Sequence, residues 1–281
     1  RRQRGYAASR PDAVEFDYLR TEVANRLVER FEDIANRDFP LVLDVGCHAG
    51  HIYEAISAEE GLGGRGGIGG VETLIQGDAA EECVRRAIAR AEASAHPERV
   101  VAHSLMFDEE YLPFPDDTFD MVTSSLALHW VNDLPRALKE IKRVLKPDGV
   151  FMGAMLGGST LTELRQSMLI CEQEREGGVS PHVSPAANVA DVGSLMSGAG
   201  FSLPTVDVDN ITVQYSDAFM LMEELQGMGE ANAAMGRRAV VGRDTFIAAA
   251  AHYQTAAWLD ENGYDIHDLD ALAKLAVEME A

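Results

Sequence analysis

The chain has 281 residues, of which 46% are hydrophobic and 25% charged, enough to bury a full core. Its formal charge of −22, with 24 Lys and Arg against 46 Asp and Glu, repels a phosphate backbone and excludes nucleic acid as the expected partner. No apolar run reaches the ~18 residues that suggest a membrane span, and three scattered cysteines, Cys47, Cys83 and Cys171, fit a reducing compartment rather than a disulfide framework or a structural zinc.

The basic start Arg1-Arg2-Gln3-Arg4 contrasts with the acidic remainder and reads either as the end of a processed targeting segment or as a frayed terminus. Leu19, Val23, Leu27, Phe31 and Ile34 then share one helical stripe. The apolar run Leu41 to Val45 leads into Gly46-Cys47-His48-Ala49-Gly50. A strand that turns abruptly into a helix presents backbone N–H groups to a nucleotide-like ligand, and glycines let that ligand approach. A helix follows near Ile52 to Ala58, and then the glycine-rich stretch Gly61 to Gly70. Without a following Lys-Ser or Lys-Thr, that stretch reads as a flexible surface insertion with no core contacts rather than a phosphate cradle.

Further strands are expected at Val71 to Ile75, Val100 to Met106, Phe119 to Ser124 and Val150 to Met155, with a helix from Ala79 to Ala95 between the first two. Asn132 is placed to cap a helix whose Leu134, Leu138, Ile141 and Leu145 face the core, and Lys146-Pro147-Asp148-Gly149 turns the chain into the fifth strand. Thr160-Leu161-Thr162-Glu163 reads as a capping box opening a helix with Leu164, Met168 and Cys171 on one face. Another helix, Val189 to Ala199, stops at Gly200, and Thr205 to Val208 with Ile211 to Tyr215 reads as a hairpin through Asp209-Asn210. From Ala218 the pattern is helical and increasingly acidic. The strand–helix alternation implies an α/β, doubly wound, Rossmann-like sheet, which the hairpin extends to seven mostly parallel strands.

In such a sheet, ligands sit at the carboxyl ends of the strands. Asp44, Asp78 and Asp108 fall at or just beyond the ends of the first three. An acid after the second strand can accept from both ribose hydroxyls, and one after the third from an adenine amino group, so the three together define an adenosyl site.

The motif order resembles that of class I S-adenosylmethionine-dependent methyltransferases, with Phe114-Pro115-Asp116-Asp117-Thr118-Phe119-Asp120 and Leu145 to Gly149 matching the segments around strands four and five. A narrower resemblance rests on Phe16-Asp17-Tyr18-Leu19, Ser124 to Leu138, Glu174-Arg175-Glu176-Gly177-Gly178, Ser180-Pro181-His182 and Leu225 to Glu230. These runs resemble the mitochondrial methyltransferase-like assembly factors of respiratory complex I, a family described as hydroxylating an arginine of an iron–sulfur, PSST-type subunit. The resemblance covers about Phe16 to Tyr253. It implies S-adenosylmethionine as cofactor and Asp44, Gly46, Gly50, Asp78, Asp108, Glu109, Ser125 and Leu126 as its contacts. It also implies a protein partner in complex I assembly, the mitochondrial matrix, peripheral to the inner membrane, as location, and a division into a helical segment 1–38, a methyltransferase-like domain 39–216 and a helical C-terminal extension 217–281.

His48 stands where this family usually has glycine, so an imidazole is expected where the methionine part of the cofactor passes the loop. The spacing Cys47-His48-x-x-His51 lacks a distant further ligand, and no metal site is expected there. His96-Pro97-Glu98 is the only His-x-acid spacing and lies at the opposite end of the sheet. His129-Trp130 lines a substrate pocket or plugs against the next helix; Arg175 and Glu176 order the adjacent Gly177-Gly178 loop or form a solvated helix end. The residues themselves name no catalytic group. Three functions stay open: modification of an arginine on a complex I subunit, methyl transfer to a small or protein substrate, and an inactive scaffold in a mitochondrial assembly.

Overall fold

The structure is a computed structural model that describes residues 1–31, 33–34, 37–61, 64–182, 186–231, 236, 238 and 241–261, side chains being described through 255. The chain divides into two compact units. The first is Arg1–Gly158, Ala186–Asn210 and Gly227–Gly229, and the second is Ser159–Pro185, Ile211–Gln226 and Glu230–Ala281.

In the first unit the elements run α1 (Arg2–Ser9), α2 (Tyr18–Glu29), β1 (Leu41–Val45), α3 (His51–Ser57), β2 (Thr73–Asp78), α4 (Glu81–Glu92), β3 (Val101–Met106), β4 (Phe119–Ser125), α5 (Leu134–Val144) and β5 (Leu145–Ala154). The sheet order is β3-β2-β1-β4-β5, and every pairing is parallel. Successive side chains of a strand point to opposite faces. On β1, Val42 joins one core layer with Leu27, Val28 and Phe31 at α2 and Ile52, Tyr53 and Ile56 of α3. Leu43 and Val45 join the other with Phe119, Val122 and, on α5, Ala137, Leu138, Ile141 and Val144. Both faces are therefore covered, as a parallel sheet requires.

Among the described residues the expected seven strands are five, and the sheet is wholly parallel. The hairpin over 205–215 is absent: its residues carry no ladder pairing and are mostly exposed. Instead, Asp207 and Asp209 reach back as ion-pair partners of Arg30 and Arg26 on α2, so local alternation there found charge partners rather than a sheet edge. Lys146 to Gly149 does turn the chain, but inside β5 as a bulge: Phe119 pairs Leu145, and Met121 already pairs Val150.

Two caps also differ. Asp133, not Asn132, caps α5 by accepting from the amide of Arg136 at 3.0 Å. The Thr160–Glu163 capping box does not form: the helix there begins at Thr162 after Leu161 in a left-handed conformation, without a side-chain cap. The basic start is helical as α1, with Arg4, Gly5 and Ala7 buried, rather than a frayed end.

The glycine stretch is packed, not a free insertion, over its described residues; Leu62 and Gly63 lie outside them. A Cβ at Gly67 would stand 2.4 Å from the Ile56 carbonyl oxygen and 2.8 Å from Val100 Cγ2. The amide of Phe39 donates to the Gly69 carbonyl at 2.9 Å. Glycine there lets backbone enter the core rather than leave it.

In the second unit α6 (Thr162–Glu176), α8 (Ala218–Met228, to Gln226 in this unit) and α9 (Arg243–Glu261) pack around Leu164, Met168, Cys171, Leu221 and Ala249. The intervening α7 (Val189–Gly198) belongs to the first unit.

Candidate functional site

The parallel register places the expected acids in steps along one edge. Asp44 pairs Gln76 on β2 and Thr123 on β4; Asp78, two residues further up, pairs Met106, and Asp108 lies two residues past that. Asp44, Gly46, Gly50, Asp78, Ser125 and Leu126 are all buried here, as is Glu109, whereas Asp108 is exposed and accepts the Glu110 amide at 3.0 Å.

The loop after β1 is held tightly. Gly46 and Cys47 both donate their amides to the Gly77 carbonyl, at 2.8 and 2.9 Å, tying the turn to β2. Gly46 has φ +76°, and a Cβ on it would lie 2.2 Å from the Ala127 Cβ, so no other residue fits without a shift. Gly50, at φ +79°, opens α3.

His48 lies in the pocket rather than turned away from it. Its backbone is left-handed at φ +48°, its amide donates to Asp78 Oδ2 at 3.3 Å, and its Nε2 lies 3.0 Å from the Leu126 carbonyl oxygen. A carbonyl only accepts, so the proton of the ring sits on Nε2. Burial, then the charges of Arg20 and Arg4, hold the imidazole far below its usual range, so it is neutral. It thus bridges the β1 and β4 loops across the path expected for the methionine part of a cofactor.

Asp44 is fully buried; its Oδ1 accepts from Thr123 Oγ1 at 3.2 Å while Oδ2 has no partner. Burial lifts its pKa to about 7, with the charge of Asp78 adding to the lift and the Thr123 hydrogen bond opposing it. Ser125 Oγ, at the end of β4, is likewise buried without a partner.

The residue that the sequence reading missed is Arg4. Its Nη1 lies 3.1 Å from Asp78 Oδ2 and its Nη2 2.6 Å from Glu109 Oε1, with all three side chains at most 4% exposed. Burial disfavours the guanidinium charge, but Asp78 and Glu109 outweigh it and hold Arg4 above its ordinary value. Burial and the neighbouring Glu109 charge conversely raise Asp78 against the pull of Arg4. Two adjacent buried carboxylates require a cation, and Arg4 is that cation. No apolar periodicity announces it, because the buried face of α1 consists of Arg4, Gly5 and Ala7.

His48, Asp78 and Cys83 also offer a nitrogen, an oxygen and a sulfur within 4.8 Å of one another, all buried. Burial, then Asp78, push the Cys83 thiol up to about 12, and Arg4 already supplies the positive charge beside Asp78. His51 does not join this group: its Nδ1 lies 2.7 Å from Arg90 Nη1 and its Nε2 3.6 Å from Asp17 Oδ1. His96 and Glu98 pair with each other on the surface at 3.4 Å. His129 and Trp130 are half-buried in a short 3₁₀ turn, Leu128–Trp130.

With α1 in place, the pocket edged by Arg4, Ala7, Asp17, Arg20, His48 and Cys83 has a volume of about 10 Å³, room for roughly one water. Arg4 and His48 edge it, but none of Asp44, Gly46, Gly50, Asp78, Asp108, Glu109, Ser125 and Leu126 lines it.

In the second unit Glu176 accepts from Thr245 Oγ1 at 2.8 Å and pairs with Arg238 at 3.4 Å, so it ties the end of α6 to the start of α9, while Arg175 is exposed. The fully buried Glu172 accepts from the Ser180 amide at 2.7 Å and pairs with His182 Nε2 at 2.8 Å. Sequence reasoning singled out Ser180 and His182 only by resemblance, and Glu172 not at all.

Comparison with known proteins agrees with this fold. A methyltransferase-domain family model matches residues 43–153, the stretch from β1 through most of β5. The mitochondrial arginine-hydroxylase NDUFAF5 of Rattus norvegicus is 48% identical over 254 residues, 90% of this chain and 68% of that protein. The malonyl-acyl-carrier-protein O-methyltransferase of Halorhodospira halophila is 35% identical over 263 residues, 93% of this chain and 81% of that protein. Among solved structures, YcgJ of Bacillus subtilis shares the fold with a TM-score of 0.54 at 23% identity, covering 80% of this chain and 82% of that one. Near-half identity along nine-tenths of the sequence, on a Rossmann-like methyltransferase fold, means that this chain belongs to the family of the mitochondrial arginine-hydroxylase NDUFAF5.

Proposed function

We propose that this protein binds S-adenosylmethionine at the carboxyl ends of β1 to β3 and acts on an arginine of a protein partner in the mitochondrial matrix, that partner being an iron–sulfur subunit of respiratory complex I. The single observation that carries the site is the stepped placement of Asp44, Asp78 and Asp108 along one edge of the sheet. Asp78 is positioned for ribose hydroxyls, Asp108 for the adenine amino group, and Gly46 and Gly50 for backbone approach, with Asp44, Glu109, Ser125 and Leu126 around them. Arg4 sits on two of these carboxylates, so the site takes its ligand with α1 displaced. The arginine modification and the mitochondrial location come from the relatives' names, and the complex I subunit from the sequence resemblance above. No helix among the described residues is long and apolar enough to cross a membrane.

A second reading, ordinary methyl transfer, is favoured by the 35% identity to a carrier-protein O-methyltransferase.

Asp108 tests the site at a residue that Arg4 does not pair with, because it is exposed and its carboxylate accepts from the Glu110 amide. Asp108→Ala removes a charged acceptor, so calorimetric titration with S-adenosylmethionine is expected to show a Kd raised about tenfold, equivalent to ~1.5 kcal/mol. Equal Kd values would place the cofactor elsewhere. Mass spectrometry of an arginine-bearing peptide of the partner then separates the two readings: a gain of one oxygen marks hydroxylation and a gain of CH₂ marks methylation.

A further inference from the structure

We propose that α1 is an internal occupant of the strand-end pocket, with Arg4 holding Asp78 and Glu109 in place of a ligand, so that adenosyl binding and α1 docking exclude one another. This rests on the adenosyl reading above and adds the residue that competes for it.

The valences of Asp78 are the first argument. Its Oδ1 accepts the Ala80 amide at 2.8 Å, and its Oδ2 accepts the His48 amide at 3.3 Å and Arg4 at 3.1 Å. A carboxylate so engaged has little left to offer two ribose hydroxyls.

The second argument is how α1 is held. Its buried residues are Arg4, Gly5 and Ala7, its first turn has no side-chain cap, and Tyr6 is 68% exposed. Two small residues bury little apolar surface, so close packing against Gly229, whose would-be Cβ lies 3.1 Å from Ala7 Cβ, is joined by the ion pairs of Arg4. Even those are incompletely satisfied, since the buried Nε of Arg4 has no partner. A helix held in part through one guanidinium competes with any ligand that satisfies the same carboxylates, and apparent affinity falls with the fraction of chains that stay closed.

Gly5 gives a direct test. A Cβ built there lies 3.8 Å from the Ala80 Cβ, with only the flexible end of Glu82 nearer. That separation is typical of a disulfide, about 3.8 Å. The full chain carrying Gly5→Cys and Ala80→Cys is titrated with S-adenosylmethionine in oxidised and reduced forms, peptide mapping confirming the bond. Arg4→Met is titrated beside the native chain, and maleimide labelling of Cys83, which borders the same pocket, reports α1 opening without cofactor. The expected result is a Kd at least about tenfold weaker for the oxidised form than for the reduced form, tighter binding by Arg4→Met than by native, and slower Cys83 labelling in the oxidised form. If Arg4→Met fails to fold, the stapled pair carries the test alone. Equal affinity of oxidised and reduced forms overturns the proposal, as does weaker binding by a folded Arg4→Met, which would make Arg4 part of the ligand site. If nothing binds while Cys83 labelling still follows the staple, α1 opens but the adenosyl reading fails, and the competition falls with it.

Discussion

The turn after β1 and the stretch at 61–70 both concentrate glycine, and the structure uses them differently. In the first, Gly46 brings two amides onto the Gly77 carbonyl at the ligand edge of the sheet, and one position, His48, is filled by a side chain that reaches Leu126. In the second, Gly67 lets the backbone pass against the Ile56 carbonyl and the Val100 side chain inside the core, while Gly64 has only Glu60 within 4 Å of its would-be Cβ. Glycine density therefore marks where backbone must come close to something. Only the neighbours say whether that something is a ligand or the protein itself.

The largest expected effect is at Gly67. Gly67→Ala must push a methyl into a backbone oxygen 2.4 Å away and into two side-chain methyls, Ile56 Cγ2 and Val100 Cγ2, at 2.7 and 2.8 Å. Urea denaturation is expected to show a loss of about 3 kcal/mol. A change near zero would return the stretch to a surface insertion and erase the contrast between the two turns.

Gly46→Ala comes next. It combines a left-handed backbone at φ +76° with a Cβ 2.2 Å from that of Ala127, a methyl that moves only with its backbone. A loss of about 2 kcal/mol is expected by the same measurement, together with weaker S-adenosylmethionine binding. A stable variant with unaltered affinity would mean that this turn does not govern the pocket.

Asp44, just before the same turn, gives a pH signature that the second turn lacks. Burial raises its folded pKa to about 7, above the ordinary carboxylate value of 3.8. Between those values the folded chain keeps a proton that the unfolded chain has lost, so this group makes stability fall as pH rises through the window, with the full penalty above it. Asp44→Asn is expected to gain on the native chain from about pH 4 to about pH 7 and to run parallel to it outside that range. Denaturation curves that stay parallel throughout would sink this assignment.

Gly64→Ala should have the smallest effect. With nothing closer than Glu60 Oε2 at 3.9 Å, only the φ of +72° resists a side chain, and about 1 kcal/mol is expected in thermal or chemical denaturation. A cost equal to that of Gly67→Ala would show that backbone conformation, not close approach, drives both positions.

Much of the first unit was legible in the chain itself. β1, β3, β4 and α5 fall within a residue or so of the positions read from apolar runs and helical stripes, because those periods are local and both faces of this sheet are covered. The acids at the strand ends were legible for the same reason: once the strands are placed, parallel pairing fixes the edge on which Asp44, Asp78 and Asp108 emerge. The alternation at 205–215 was just as regular and yet formed no strand; Asp207 and Asp209 there paired with Arg30 and Arg26 on α2 instead.

Local pattern thus determined the sheet, its order of motifs and the edge at which a ligand is expected. Tertiary structure alone decided that the glycine stretch enters the core, that His48 crosses to Leu126, and that Arg4 settles on Asp78 and Glu109, which are 74 and 105 residues away. Hydrophobic periodicity records which face of an element leaves water. A buried charge is placed by the partner that neutralises it, and when that partner lies far along the chain no local pattern announces it.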